Sequence, residues 1–78
     1  MIKKQEKLVI TFYTTTDAMA AEQLCRERGL PGRMIPVPGS ITADCGLAWC
    51  AGVEQERVLR GALEAAKVAV QGFYRCLV

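Results

Sequence analysis

The residues best suited to covalent chemistry in this 78-residue chain are its four cysteines, because it contains no histidine. Cys45 and Cys50 flank a short apolar run in the stretch ADCGLAWC, whereas Cys25 and Cys76 stand alone. Such a pair could form a disulfide, contribute to a metal site, supply a reactive thiol or pack inertly. Without histidine the usual general base is missing. We therefore predict a carrier or accessory protein rather than a self-sufficient enzyme.

Spacing argues against a bond between Cys45 and Cys50. In one extended strand, five steps of about 3.3 Å separate the two Cα atoms by about 16 Å, and a disulfide tolerates no more than about 7 Å. The odd spacing also sends the two side chains to opposite faces of a sheet. Zinc sites favour closer cysteine pairs. We predict neither a disulfide nor a metal, and a structural zinc site is the least favoured alternative.

The four thiols differ in their predicted surroundings. Cys25 falls on the apolar face of a predicted helix and Cys76 in the last predicted strand, where a free cysteine commonly packs as a small hydrophobe. Cys45 ends a polar loop and opens a strand, so we expect it to be accessible, with Gly46 leaving room for a bound group. Exposed loop amides would favour its thiolate. Cys45 is the candidate reactive thiol, and Cys50 is expected to pack.

Six elements must position these residues. Strand patterns cover 8–13, 33–38, 45–51 and 69–78, and helix patterns cover 16–28 and 54–67. The order βαββαβ predicts an α+β, ferredoxin-like fold, with a four-stranded antiparallel sheet of order 4-1-3-2 and both helices on one face. Pro36 cannot donate to a strand ladder, so the second strand should lie at an edge. We predict one domain over 1–78, with 1–7 as a flexible tail.

The predicted hairpin of the second and third strands fixes the position of one basic residue, Arg33. The hairpin sets Arg33 opposite about Cys50, at the far end of the sheet from Cys45. We expect that end to lie beside Thr14, Thr15 and the N-terminus of the first helix, where an anion could bind. The alternative is that Arg33 is simply an exposed charge on an edge strand.

Composition limits the location and the partners. The net charge of +2 is too weak to indicate nucleic acid by itself, and the third strand matches the RNA-recognition pattern only at Gly46, Ala48 and Trp49. RNA binding is therefore a weak alternative. No run approaches the roughly 20 apolar residues of a membrane helix, and no secretory signal is visible. We expect a cytoplasmic protein, without membrane contact, whose thiols stay reduced.

Three stretches carry a resemblance to a known family. TFYTTTDAMAAEQLCRERGLPGRMIPVP, ITADCGLAW and GFYR together resemble the Se/S carrier protein-like family, which consists of small bacterial domains of unknown function. The similarity runs from about Leu8 to Arg75. Related domains look to be fused behind sulfurtransferase-like modules in proteins of selenium metabolism. The resemblance implies a cytoplasmic carrier of sulfur or selenium.

The resemblance also implies a role for the residues that match the family's motifs. Cys45 would be the carrier thiol and would hold a persulfide or selenopersulfide, with no other cofactor. Its frame and the further candidate binding residues are Gly46, Leu47, Ala48, Thr16, Asp17 and Arg33. The implied partners, as donor or acceptor, are a cysteine desulfurase or a sulfurtransferase-like protein. The alternative is a non-catalytic module that binds a small anion or a protein, and edge strands could pair two copies as a homodimer.

Overall fold

A computed structural model describes residues 4–78 of the chain. The elements in chain order are β1 (Glu6–Thr11), α1 (Thr15–Arg28), β2 (Arg33–Pro36), β3 (Leu47–Gly52), a 3-10 turn (Val53–Gln55), α2 (Glu56–Ala65) and β4 (Gly72–Leu77). Part of the predicted tail, residues 1–3, lies outside the described residues. Strand β1 already starts at Glu6, inside the segment predicted as tail, because that end of β1 pairs with the end of β4.

The four strands form one antiparallel sheet with the order β2-β3-β1-β4. Read from the β4 edge, this order is 4-1-3-2. The predicted α+β class, with four antiparallel strands and two helices, is confirmed. Strand β2 occupies an edge, as the missing N–H of Pro36 requires. Arg33 pairs with Cys50, which is the register predicted for the hairpin.

Helix α1 has a well-defined signal at each end. The Thr14 hydroxyl accepts a hydrogen bond of 3.1 Å from the Asp17 N–H and thus caps the first turn. Gly29 ends the helix with a φ of +64°, which glycine adopts at little steric cost. No helix within residues 4–78 has both the length and the apolar character needed to cross a membrane.

Both helices pack against the same face of the sheet. The buried cluster on that face is Leu8, Ile10, Phe12, Ala18, Ala21, Cys25, Cys45, Trp49, Ala51, Leu59 and Leu63. Alternation along the strands sends the intervening residues to the other side, which we call the open face because neither helix packs there, although Val9, Thr11 and Ala48 on it are fully buried. The open face carries Arg33, Ile35, Ala48, Cys50, Gly52, Lys7, Val9, Thr11, Gly72, Tyr74 and Cys76. Cys45 and Cys50 therefore belong to opposite faces, as their spacing predicts.

Candidate functional site

Cys45 lies where the end of β1 meets the start of β3. Its backbone N–H donates a 3.2 Å hydrogen bond to the carbonyl of Phe12, the residue that follows β1. Because β1 and β3 are antiparallel, this end of the sheet is also where the chain leaves β1 and enters α1. The topology thus brings Cys45 next to the first turn of α1, although 30 residues separate it from Thr15.

The sulfur of Cys45 has two polar neighbours. The Leu47 backbone N–H donates to Sγ at 3.4 Å, and the Thr15 hydroxyl lies 3.9 Å from Sγ. Thr15 is the first residue of α1, so the sulfur faces the end of the helix that carries partial positive charge. The polar surroundings of the sulfur are thus one backbone N–H from the start of β3 and the first turn of α1. The sequence suggested exposed loop amides as neighbours of this thiol and did not indicate Thr15, whose signal is a helix that begins one residue before the predicted start.

The accessibility predicted for Cys45 is wrong, because only 4% of the residue is exposed. Its side chain points to the helix-bearing face and lies against the core instead of facing solvent from the loop. The residues next to it on the surface, Thr14, Thr15 and Gly46, are exposed. A Cβ at Gly46 would meet no atom within 4 Å outside its two chain neighbours, so there is open space at the residue that follows Cys45.

The other residues predicted to frame Cys45 divide between the two faces. Leu47 is half-buried and packs against the core, whereas Ala48 is fully buried and faces away from Cys45. Thr16 is exposed, and Asp17 acts within the helix cap, where its carboxylate also accepts from the Thr14 hydroxyl at 2.9 Å. Of the predicted frame, Gly46 and Leu47 are thus the residues that adjoin the thiol.

Arg33 does not lie beside the N-terminus of α1, and that prediction is wrong. Strand β2 begins shortly after α1 ends, so its first residue stays near the C-terminal part of the helix. Arg33 accordingly shares a surface pocket with Glu22 and Arg26 from the second half of α1. The helix N-terminus is at the opposite end of the sheet, beside Cys45. The positive end of the helix and Arg33 are therefore two separate places at which an anion could be attracted.

The remaining thiols occupy different environments. All four cysteines are free. Burial raises the pKa of Cys25, which packs in the core as predicted. Burial, and secondarily the proximity of Cys50, raises the pKa of Cys76. No three His, Cys, Asp or Glu side chains in the described part of the chain are grouped so that they could hold a metal.

The Thr14 cap offers a test of the helix end that faces Cys45. Replacing Thr14 with alanine removes the acceptor of the Asp17 N–H, so we expect the free energy of unfolding to fall by about 1 kcal/mol. Urea denaturation followed by circular dichroism measures the change. Thr16→Ala is the matched control, since this exposed threonine lies within the helix and its loss should change stability by less than about 0.5 kcal/mol. Equal losses in both variants would contradict the assigned cap.

Comparison with protein families gives one match. A family model with the description "Putative Se/S carrier protein-like" matches residues 7–75. The matched range contains Cys45, Leu47 and both helices. Neither the curated proteins nor the solved structures provide a match to the chain.

Proposed function

Because the chain belongs to the Se/S carrier protein-like family, we propose that it carries sulfur or selenium as a persulfide or selenopersulfide on Cys45. The observation that carries this proposal is the setting of the Cys45 sulfur, which accepts the Leu47 N–H and faces the first turn of α1. The thiolate is the form of a cysteine that attacks sulfur, and these two groups are the polar neighbours that it would have here. Cys25 shares the buried cluster with Cys45, and burial raises its pKa.

The proposed transfer is an exchange without net oxidation or reduction. The Cys45 thiolate attacks the outer sulfur of a persulfide on the donor protein. A new S–S bond forms at Cys45 as the donor's S–S bond breaks, and the donor leaves as a thiolate. A nucleophile on the acceptor then attacks the outer sulfur on Cys45 and restores the Cys45 thiolate. A selenopersulfide exchanges in the same way through its outer selenium.

A carrier thiol also needs protection from a second thiol that would displace the cargo as a disulfide. Cys50, the cysteine nearest in sequence, projects from the opposite face of the sheet, so β3 separates the two side chains. The burial of Cys45 supports the same role, because an enclosed persulfide is shielded from oxidants. Loading then requires the exposed residues Thr15 and Gly46, which lie next to Cys45, to move apart so that the donor persulfide reaches the Cys45 sulfur.

The donor and acceptor in this proposal are a cysteine desulfurase or a sulfurtransferase-like protein, acting in a reducing, cytoplasmic setting. The scaffold is proposed to be of the ferredoxin-like type, which the sheet order and the shared helix face support. RNA binding receives little support. The open-face strand positions hold a single aromatic residue, Tyr74, and Trp49 packs in the core with its indole N–H donating to the Pro31 carbonyl at 3.2 Å.

Mass spectrometry of the protein after incubation with sodium polysulfide tests the proposal. We expect the wild-type chain to gain the mass of one sulfur atom, and peptide mapping to locate that sulfur on Cys45. Cys45→Ser should lose the gain. Cys76→Ser is the matched control, because Cys76 is more exposed than Cys45 and should be dispensable. Parallel incubation with the selenopersulfide of a small thiol compares selenium with sulfur.

A second variant separates loss of the thiol from loss of the fold. The chain in which Cys25, Cys50 and Cys76 are all replaced by alanine retains Cys45 alone and should still gain one sulfur. If Cys45→Ser keeps the full gain, or if the sulfur maps to Cys76, the carrier role of Cys45 is excluded. Unchanged circular dichroism of each variant shows that the comparison is between folded proteins.

A further inference from the structure

A pocket of about 340 Å³ lies at the other end of the sheet, away from Cys45. Lys7 from β1, Arg33 from β2 and Cys50 from β3 line it, together with Gly32 and Gly52. The strand register explains why they meet: Arg33 pairs with Cys50, and Lys7 pairs with Gly52 on the other side of β3. Two cationic side chains, from the strands on either side of β3, thus flank a floor made by β3.

The charges of this pocket are not neutralised by ion pairs. Neither Lys7 nor Arg33 takes part in an ion pair with another residue of the described range 4–78. Lys7 and Arg33 are the charged side chains among the residues that line the pocket, and no acidic side chain lines it; Val78, the last residue of the chain, also contributes to the lining. The Glu54 side chain lies over Gly52 and lines the neighbouring pocket along α2. The side chains of the lining therefore carry a positive balance. The basic residues on α2 and β4 differ in this respect, since Arg60 and Arg75 both bind Glu56, at 2.9 and 3.2 Å.

Gly32 lets the chain pass close to β3 at one side of the pocket. Gly32 has a φ of +126°, and a Cβ there would meet the Trp49 indole and lie 2.7 Å from the Cys50 carbonyl oxygen. The chain can therefore run close over β3 only with glycine at this position. On the floor, Cys50 is the thiol that lines the pocket, and 5% of the residue is exposed. A volume of this size lies at the lower end of the range for small-molecule sites.

We propose that this pocket binds a small organic molecule through an oxyanion, either a carboxylate or a phosphate ester, held between Lys7 and Arg33. The guanidinium of Arg33 suits two-point binding of such a group, and the Lys7 ammonium adds a point charge. The volume exceeds what one inorganic oxyanion needs, so the organic part rests against Gly32 and Cys50. The site does not depend on the carrier role of Cys45, which lies at the other end of the sheet.

Backbone amide NMR of the whole chain tests the site, with inorganic phosphate, glycerol phosphate and succinate as separate probes. We expect saturable shifts at the amides of Gly32, Arg33 and Gly52. Tighter binding of glycerol phosphate assigns the site to phosphate esters, and tighter binding of succinate assigns it to carboxylates. Shifts that do not saturate with any of the three probes would exclude the site.

Four variants, one of them a control, identify the groups that bind. Arg33→Gln should weaken binding at least about fivefold, since it removes a full charge at contact distance, and Glu54→Gln should strengthen it. Arg57→Gln is the matched control, because Arg57 is an exposed arginine on α2 that does not line this pocket. If Arg33→Gln and Arg57→Gln weaken probe binding equally, the probes respond to the overall charge of the protein and not to this pocket, and the proposal is overturned. Because Arg33 is exposed on an edge strand, Arg33→Gln should fold. Lys7→Gln removes the other cation and tests independently whether both charges contribute to binding.

Discussion

Replacing Phe12 with alanine is expected to lower the free energy of unfolding by about 3–5 kcal/mol. Phe12 is the largest fully buried side chain of the described residues. Its loss leaves a cavity between the sheet and the helices, and natural domains have only about 5–15 kcal/mol of stability in total. Phe12 also supplies the carbonyl that holds the Cys45 N–H. The variant should therefore lose both stability and the fixed position of the thiol.

The neighbouring aromatic residue provides the control for this prediction. Tyr13 follows Phe12 directly but is 49% exposed, so Tyr13→Ala should change stability by no more than about 0.5 kcal/mol. Chemical denaturation followed by circular dichroism compares the two variants. If Tyr13→Ala destabilises the chain as much as Phe12→Ala does, the assignment of Phe12 to the core is wrong.

Replacing Gly32 with alanine is expected to lower the free energy of unfolding by about 2–4 kcal/mol. The positive φ of +126° is strained for any residue with a Cβ. The added methyl group would also press against the Trp49 indole and lie 2.7 Å from the Cys50 carbonyl oxygen, and both are fixed by β3. Calorimetry should show a melting temperature lower by about 10 °C or more, as expected for a domain of this size.

A second glycine distinguishes this effect from a general effect of adding methyl groups. At Gly39 a Cβ would have no atom within 4 Å, and the backbone is not in the positive-φ region. Gly39→Ala should therefore be neutral or slightly stabilising, because it restricts the unfolded chain. A melting temperature for Gly32→Ala within one or two degrees of that for Gly39→Ala would contradict the close approach at Gly32.

The sheet could be predicted from the sequence because several constraints agree. Alternation and β-branched residues mark β1, and the proline in β2 restricts that strand to an edge. Together with the helices between them, these features leave few allowed topologies. The ends of the strands were less accurate. Phe12 and Tyr13 continue the strand pattern but belong to the connection into α1, because packing of the helix rather than local preference ends β1.

The candidate site was predicted only in part. The identity of Cys45 followed from its place at the start of a predicted strand and from the family resemblance, but its burial did not. That burial depends on contacts with residues distant in sequence, such as Phe12, whose carbonyl binds the Cys45 N–H, and no local pattern encodes them. The proximity of Cys45 to α1 could have been deduced from antiparallel pairing of β1 and β3 alone. Arg33, which the prediction put there, lies at the opposite end of the sheet, because α1 runs back along the sheet from the end of β1 and β2 begins shortly after the helix ends.

The indole of Trp49 gives this fold an optical reporter. It is the only tryptophan in the sequence, and it is 4% exposed beneath the Pro31 carbonyl that it binds. Gly32 and the carbonyl of Cys50 adjoin it on the side of the pocket that Lys7 and Arg33 line. The emission spectrum of this single fluorophore should therefore respond to two different events, and in different ways. Unfolding exposes the ring to water, and occupation of the neighbouring pocket alters its local field without exposing it.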